Sequence, residues 1–146
     1  MGLIENTIEG QLVISNQPPL NIAQYIKSLF AYPYGCLEQT TSGLFPSLYA
    51  NSEQLAQLGI KTDSDDKRRE KIQKGISRIL SMQRSNGSFG LWSNHSEEEH
   101  WLTVYATDFL LQAKERGYQV NDKALDAAMS RLGEYIYDNS AFNNLY

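Results

Sequence analysis

The 146-residue sequence has a single cysteine, two histidines and four prolines. One cysteine cannot form a bridge within the chain, so Cys36 is a buried small hydrophobe, a reactive nucleophile or half of an intermolecular link. Disulfides are not needed for stability, because a compact chain of this length buries roughly 70% of the surface it exposes when unfolded. Basic charge is scarce too. The net charge is −4, and Lys and Arg are scattered except at Lys67-Arg68-Arg69. Such a surface is unsuited to neutralising phosphates, which argues against nucleic acid as a partner. No apolar run approaches the ~20 residues that cross a bilayer, and no charged start followed by an apolar stretch marks a secretory signal. A myristoylation site at Met1-Gly2 would need Ser or Thr where Asn6 stands, so the start reads as a truncation.

Hydrophobic spacing divides the remainder into one strand and five helices. Ile8 to Ser15 is β-branched and short and runs into Asn16-Gln17-Pro18-Pro19, a strand followed by an extended linker. Asn21 with Gln24 three residues later is an N-cap signal for a helix with Ile22, Tyr25, Ile26, Leu29 and Phe30 on one stripe. Tyr32-Pro33-Tyr34-Gly35 stops it. A second helix is expected from the cysteine to near Gly59, with Gly43 and Pro46 interrupting or kinking it. Asp63 and Ser64 can cap a third, with Ile72, Ile76, Ile79 and Leu80 inward, DDKRREK solvated, and an end near Arg84. Ser85 to Asn94 is a Gly/Ser/Asn-rich loop anchored by Phe89 and Trp92.

A fourth helix is expected from about Ser96 to Arg116, with Glu97, Glu98 and Glu99 in its first turn, Trp101, Leu102, Tyr105, Phe109 and Ala113 on one face, and Gly117 as its stop. A fifth follows the Asn121 cap through Ala124, Leu125, Ala128, Met129, Leu132 and Ile136. Residues 138–146 show no periodicity. The fold class is all-α, stacked antiparallel helical hairpins after a short strand, with residues 1–19 a linker and strand and 20–146 the helical domain. The last helix is amphipathic with nothing to cover it, as expected of a chain cut before its architecture closes.

The residues around Cys36 give the chemistry. A cysteine and the glutamine three positions on, Gln39, lie about 300° apart around a helix, close enough to meet. If the thiolate attacks the Gln39 carboxamide carbon and ammonia leaves, an internal thioester results. Water would slowly destroy such an acyl group, so it must be kept dry, and Tyr32, Tyr34, Phe45 and Tyr49 can exclude water. A nucleophile reaching the bond would be acylated at Gln39, with Cys36 leaving as thiolate. Spacing alone does not separate this from a structural cysteine. Glu38 is assigned no chemistry.

Gly35-Cys36-Leu37-Glu38-Gln39, preceded by Tyr32-Pro33-Tyr34, resembles the thioester motif of the alpha-2-macroglobulin and complement family in its bacterial version. The resemblance extends from about Pro18 to Gly117, including NGSFGLW (86–92) and WLTVYATDFL (101–110). It implies a broad-spectrum protease trap, in which bait cleavage exposes a thioester that captures lysine amines of the protease. It also implies an α/α toroid about twice this length, of which this chain is the first half, with other domains of the parent as neighbours. No cofactor or metal is implied. Leu37, where many vertebrate members have glycine, matches the bacterial branch. Tyr32 takes the position of a shielding tyrosine, and the implied location is the periplasm. A histidine that directs some members toward hydroxyl targets would fall past Tyr146.

Other readings remain on the residues themselves. A Cys-His hydrolase would use Cys36 with His95 or His100, but neither histidine has a distinguishing context. At pH 7 an ordinary thiol is only a few per cent thiolate, so a positive neighbour or a helix N-terminus would have to assist. His95 and His100 lie about 140° apart on a helix, a poor basis for a shared metal. Trp92, Trp101 and Phe89 could line a ligand pocket, though packing between hairpins suits them better. A helical interaction module with a structural Cys36, prone to self-association through its open apolar face, is the non-chemical alternative.

Overall fold

The computed structural model describes residues 24–26, 35–57, 59–60 and 64–137. The expected strand and linker, the Asn21 cap, Tyr32, Tyr34 and the tail from Asp138 lie outside the described residues. Of the first expected helix, residues 24–26 are helical, with Tyr25 exposed. The other elements are α1 (Leu37–Tyr49), α2 (Ser52–Gln57), α3 (Asp65–Ser81), α4 (His100–Glu115) and α5 (Asp122–Tyr137). Among the described residues there is no sheet, only two isolated antiparallel bridges, Gln83 with Phe89 and Gly90 with Glu98.

The segment expected as one helix from Cys36 to Gly59 is two. Gly43 and Pro46 do not stop α1; the break comes at Ala50-Asn51, where the Ala50 N–H bonds the Pro46 carbonyl and the chain turns extended. Asn51 then opens α2 through a reciprocal capping box: its Oδ1 accepts the Gln54 N–H at 2.8 Å, and Gln54 Oε1 accepts the Asn51 N–H at 3.0 Å. That local alternative competes with helix continuation. Helix α3 begins after Ser64, which makes no side-chain cap bond; Asp65 instead accepts from Ser52 N–H, Ser52 hydroxyl and Arg68 Nε. Those bonds hold the Asp65 carboxyl below its ordinary range.

The expected start of α4 at Ser96 is four residues early. Glu99 is the N-cap, and Glu98 pairs with Gly90, so the acidic run closes a loop. In α5, Met129 and Ile136 of the expected stripe are exposed, Ile136 by 77%, and Tyr135 is buried instead. Trp92, expected to anchor the loop, is 57% exposed, whereas Phe89 is fully buried.

The core lies where α1 packs on both α3 and α4, and α4 on α5. Leu37, Leu44 and Leu48 meet Ile72, Ile76 and Ile79 together with Leu102, Ala106, Phe109, Leu110 and Ala113. Helix α4 is buried around much of its circumference, and its buried threonines satisfy themselves: Thr103 and Thr107 donate to the carbonyls of Glu99 and Thr103 at 2.9 and 2.7 Å. Phe109 is edge-on to Phe45 at 5.1 Å, beside Tyr105, whose hydroxyl pairs with Ser42 at 3.1 Å. Truncating a fully buried Phe removes transfer energy and leaves a cavity. Phe109→Ala therefore lowers stability by about 3–5 kcal/mol, whereas Tyr105→Phe, which loses one half-buried hydrogen bond, costs about 1 kcal/mol. Urea titrations followed by circular dichroism check the contrast.

Candidate functional site

Cys36 stands on the N-cap of α1, with extended backbone (φ −60°, ψ 173°), and its carbonyl accepts the first helical bond from Thr40 N–H at 2.9 Å. The Gln39 side chain folds back so that Oε1 accepts the Cys36 N–H at 3.3 Å, and the Cys36 side chain faces the Gln39 backbone N–H. This is a capping box with a thiol where serine or threonine usually stands. The geometry refines the picture of two residues within a helix: the cysteine precedes the helix, and capping brings the carboxamide back over it.

Gly35 is required by this turn. A Cβ there would lie 2.5 Å from Thr40 Oγ1 and 3.0 Å from its backbone nitrogen, while Thr40 Oγ1 donates to the Gly35 carbonyl at 3.3 Å. On the other side, the Leu37 N–H donates to the Leu91 carbonyl at 2.8 Å. One of the helix's otherwise orphan donors is thereby satisfied from the loop between α3 and α4. Cys36 is 6% exposed; Gln39 is exposed.

The other site candidates are more distant along α1. At a helical rise of about 1.5 Å per residue, Phe45 and Tyr49 lie about 13 and 20 Å down the axis from Cys36. Phe45 stacks near Tyr49 at 6.3 Å and meets Tyr105 at 5.2 Å, and Arg116 lies over the Tyr49 ring at 4.3 Å. Phe45 packs α1 against α4, whereas Tyr49 is 57% exposed. Tyr32 and Tyr34 lie outside the described residues. Neither imidazole hydrogen-bonds Cys36 among the described residues: His95 is exposed, and His100 lies edge-on to Tyr135 at 4.6 Å with Nε2 3.9 Å from Glu98. No cluster of three metal-ligating side chains occurs among the described residues, and no described helix is long and apolar enough to cross a membrane.

A polar cluster not anticipated from the sequence centres on Glu98. Its carboxylate accepts from Arg131 Nε and a terminal guanidinium nitrogen, both at 2.9 Å, from Asn86 at 3.0 Å and from the Tyr135 hydroxyl. Partial burial pushes the Glu98 carboxyl up, but the bonds from Arg131, Tyr135 and Asn86 together outweigh it and hold the group at about 2. Burial and the Glu98 bond push Tyr135 up to about 12. An acid in a Glu-rich run gives no sign in sequence of which partner it will find.

The described residues thus form an all-α domain with a cysteine–glutamine capping box at a helix N-terminus. The chain belongs to the A-macroglobulin TED domain family, whose model matches residues 7–144. Its relatives are bacterial alpha-2-macroglobulins. It is 60% identical over 132 residues to the alpha-2-macroglobulin of Escherichia coli K12, covering 90% of this chain and 8% of that protein. Among solved structures, it superposes on Salmonella alpha-2-macroglobulin reacted with methylamine with a TM-score of 0.80 and 59% identity, over 84% of this chain and 8% of that one. Trypsin-activated E. coli alpha-2-macroglobulin matches with a TM-score of 0.73 and 60% identity, over 83% and 8%. The chain thus spans about 8% of the length of these relatives.

The depressed Glu98 carboxyl predicts a pH signature. Its folded value lies below the ordinary 4.5, so its contribution is fully present above that pH and is lost as pH falls toward 2. Glu98→Gln is expected to lower the melting temperature at pH 7, with a cost of about 2 kcal/mol for the weakened charge-assisted bonds. The gap to wild type should close between pH 4.5 and 2, as thermal melts across that range would show.

Proposed function

We propose that Cys36 and Gln39 form an internal thioester and that the chain is the covalent warhead of a larger, broad-spectrum protease inhibitor. The observation that carries the reading is the Gln39 carboxamide folded onto Cys36, its oxygen on the Cys36 N–H at 3.3 Å. In bond formation, the Cys36 thiolate attacks Gln39 Cδ and the carbonyl electrons move onto Oε1, toward the Cys36 N–H. That donor is aimed at the atom that gains charge, as an oxyanion hole requires. Collapse breaks the C–N bond; the nitrogen takes a proton and leaves as ammonia, and a thioester remains. Cys36 lies at the N-terminal end of α1, where negative charge is favoured on the attacking and the departing sulfur alike.

The bond is single-use. An amine attacking Gln39 Cδ forms an amide and expels the Cys36 thiolate, so the protein is consumed and does not turn over. The family membership, the methylamine-reacted Salmonella structure and the trypsin-activated E. coli structure support this reading. Lysine amines of a protease are the natural target, other domains of the parent supply the bait region, and Tyr32 and Tyr34 are proposed shields. The periplasm is the proposed location.

Mass spectrometry of the Cys36–Gln39 peptide, with and without methylamine and with free thiols alkylated, tests the reading. A methylamide at position 39 beside a released thiol is expected from the full-length protein. Unmodified glutamine with a free thiol in that protein would overturn it. Cys36→Ala should abolish covalent capture of trypsin, read as loss of the high-mass band on denaturing gels, while helicity stays unchanged. Tyr32→Gly should speed thiol release by methylamine; an unchanged rate would remove Tyr32 from the shield.

A further inference from the structure

We infer that Glu98 is a positioning residue for the Cys36–Gln39 bond: it latches the loop between α3 and α4 to α5, and that loop holds the first turn of α1 through the Leu91 carbonyl. The inference rests on the thioester reading above.

The loop is tied to α1 and to α5, and also to α3 and α4, where Arg78 donates to the Trp92 carbonyl at 3.4 Å and the Phe89 N–H to Thr103 Oγ1 at 3.0 Å. On one side, Leu91 accepts the Leu37 N–H at 2.8 Å, immediately beside the cysteine. On the other, three contacts bind the loop to α5. Glu98 takes the fork of Arg131 at 2.9 and 2.9 Å and the hydroxyl of Tyr135. Gln83 Nε2 donates to the Ala124 carbonyl at 2.8 Å and to Gly87 O at 3.1 Å. Gly87, at φ +88°, leaves no room for a Cβ, which would sit 2.2 Å from the Ala127 carbonyl oxygen.

Between these ends the loop is internally braced, so force applied at one end reaches the other. Gly90 N–H bonds Met82 O at 3.1 Å and Arg84 N–H bonds Ser88 O at 2.8 Å. Ser96 Oγ accepts the N–H groups of Trp92 and Ser93 at 3.2 and 3.1 Å, and Arg84 donates to the Ser96 carbonyl. Glu98 also pairs with Gly90, the residue before Leu91. A bidentate Arg–carboxylate pair fixes direction as well as distance, which a single bond would not.

Helix N-termini fray, and a thioester strung across the first turn depends on that turn keeping its shape. Releasing the Glu98 end lets Leu91 leave Leu37, and the acyl group gains freedom to meet nucleophiles. The residue therefore acts through the loop, without touching Cys36 or Gln39.

The test measures thiol release by methylamine in the full-length protein carrying this chain, well below its melting temperature, after mass spectrometry has established the thioester content of each preparation. Glu98→Gln and Arg131→Met are each expected to raise the release rate by about tenfold, because the freed acyl group meets nucleophiles more readily, and the double variant no further than either alone; tenfold corresponds to about 1.4 kcal/mol of barrier. Tyr135→Phe, which keeps the ring, should raise it by a smaller factor and serves if the charge variants fail to fold. Leu55→Ala, in α2 and away from the loop, should lower the melting temperature and leave the rate unchanged. Wild-type rates in Glu98→Gln and Tyr135→Phe, or an equal acceleration in Leu55→Ala, would overturn the latch while leaving the thioester standing. A wild-type protein that holds no thioester would overturn both.

Discussion

The site depends on one contact, the Gln39 carboxamide folded back onto the Cys36 N–H. It is ordinary helix-end chemistry: an N-cap residue and a Gln three positions on satisfy each other's orphan groups. The same reciprocal box recurs at Asn51 and Gln54, where the cap is a carboxamide and no reaction is possible. What differs at Cys36 is the thiol. On the proposed thioester reading, a thiol in place of the usual cap oxygen turns a conformational device into a reacting pair, with the Gln39 carboxamide already folded back toward Cys36. No strained backbone is called for at Cys36, whose φ and ψ are those of common extended chain.

Two neighbours hold that turn in place. Thr40 closes on Gly35 so tightly that only glycine fits, which accounts for the glycine before the cysteine. Leu91 takes the Leu37 N–H, which would otherwise need water next to the proposed thioester. The core beneath is a rigid base: Leu37 is fully buried against α3 and α4, so the first helical residue cannot move without disturbing their packing.

Helix type among the described residues was legible because Ile72, Ile76 and Ile79, or Leu102, Phe109 and Ala113, repeat with helical spacing over three or four turns, but helix number was not, since the expected helix from Cys36 to Gly59 is split at Ala50-Asn51. Boundaries were less so. The Glu97–Glu99 run reads as a helix first turn because acids favour that end, yet Glu98 is drawn into a bridge with Gly90 and an ion pair with Arg131, 33 residues away. Tertiary partners outweighed a local preference worth well under 1 kcal/mol per residue. In the same way, Tyr135 is buried in place of Ile136 because its hydroxyl finds Glu98. That Gln39 lies beside Cys36 was legible from their spacing. Leu91 was not, since a backbone carbonyl leaves no trace in residue type.

Burial separates Cys36 from Gln39: the cysteine is inside, at 6% exposure, and the glutamine is an exposed residue. For an acyl transfer this polarity has a direction. In the proposed thioester, a nucleophile would arrive from the Gln39 side, while the leaving thiolate would stay at the helix N-terminus, where charge is tolerated. On that reading, reactivity is governed on the Gln39 side, by what covers the carbon and by how firmly the first turn of α1 is held, and not by access to the sulfur.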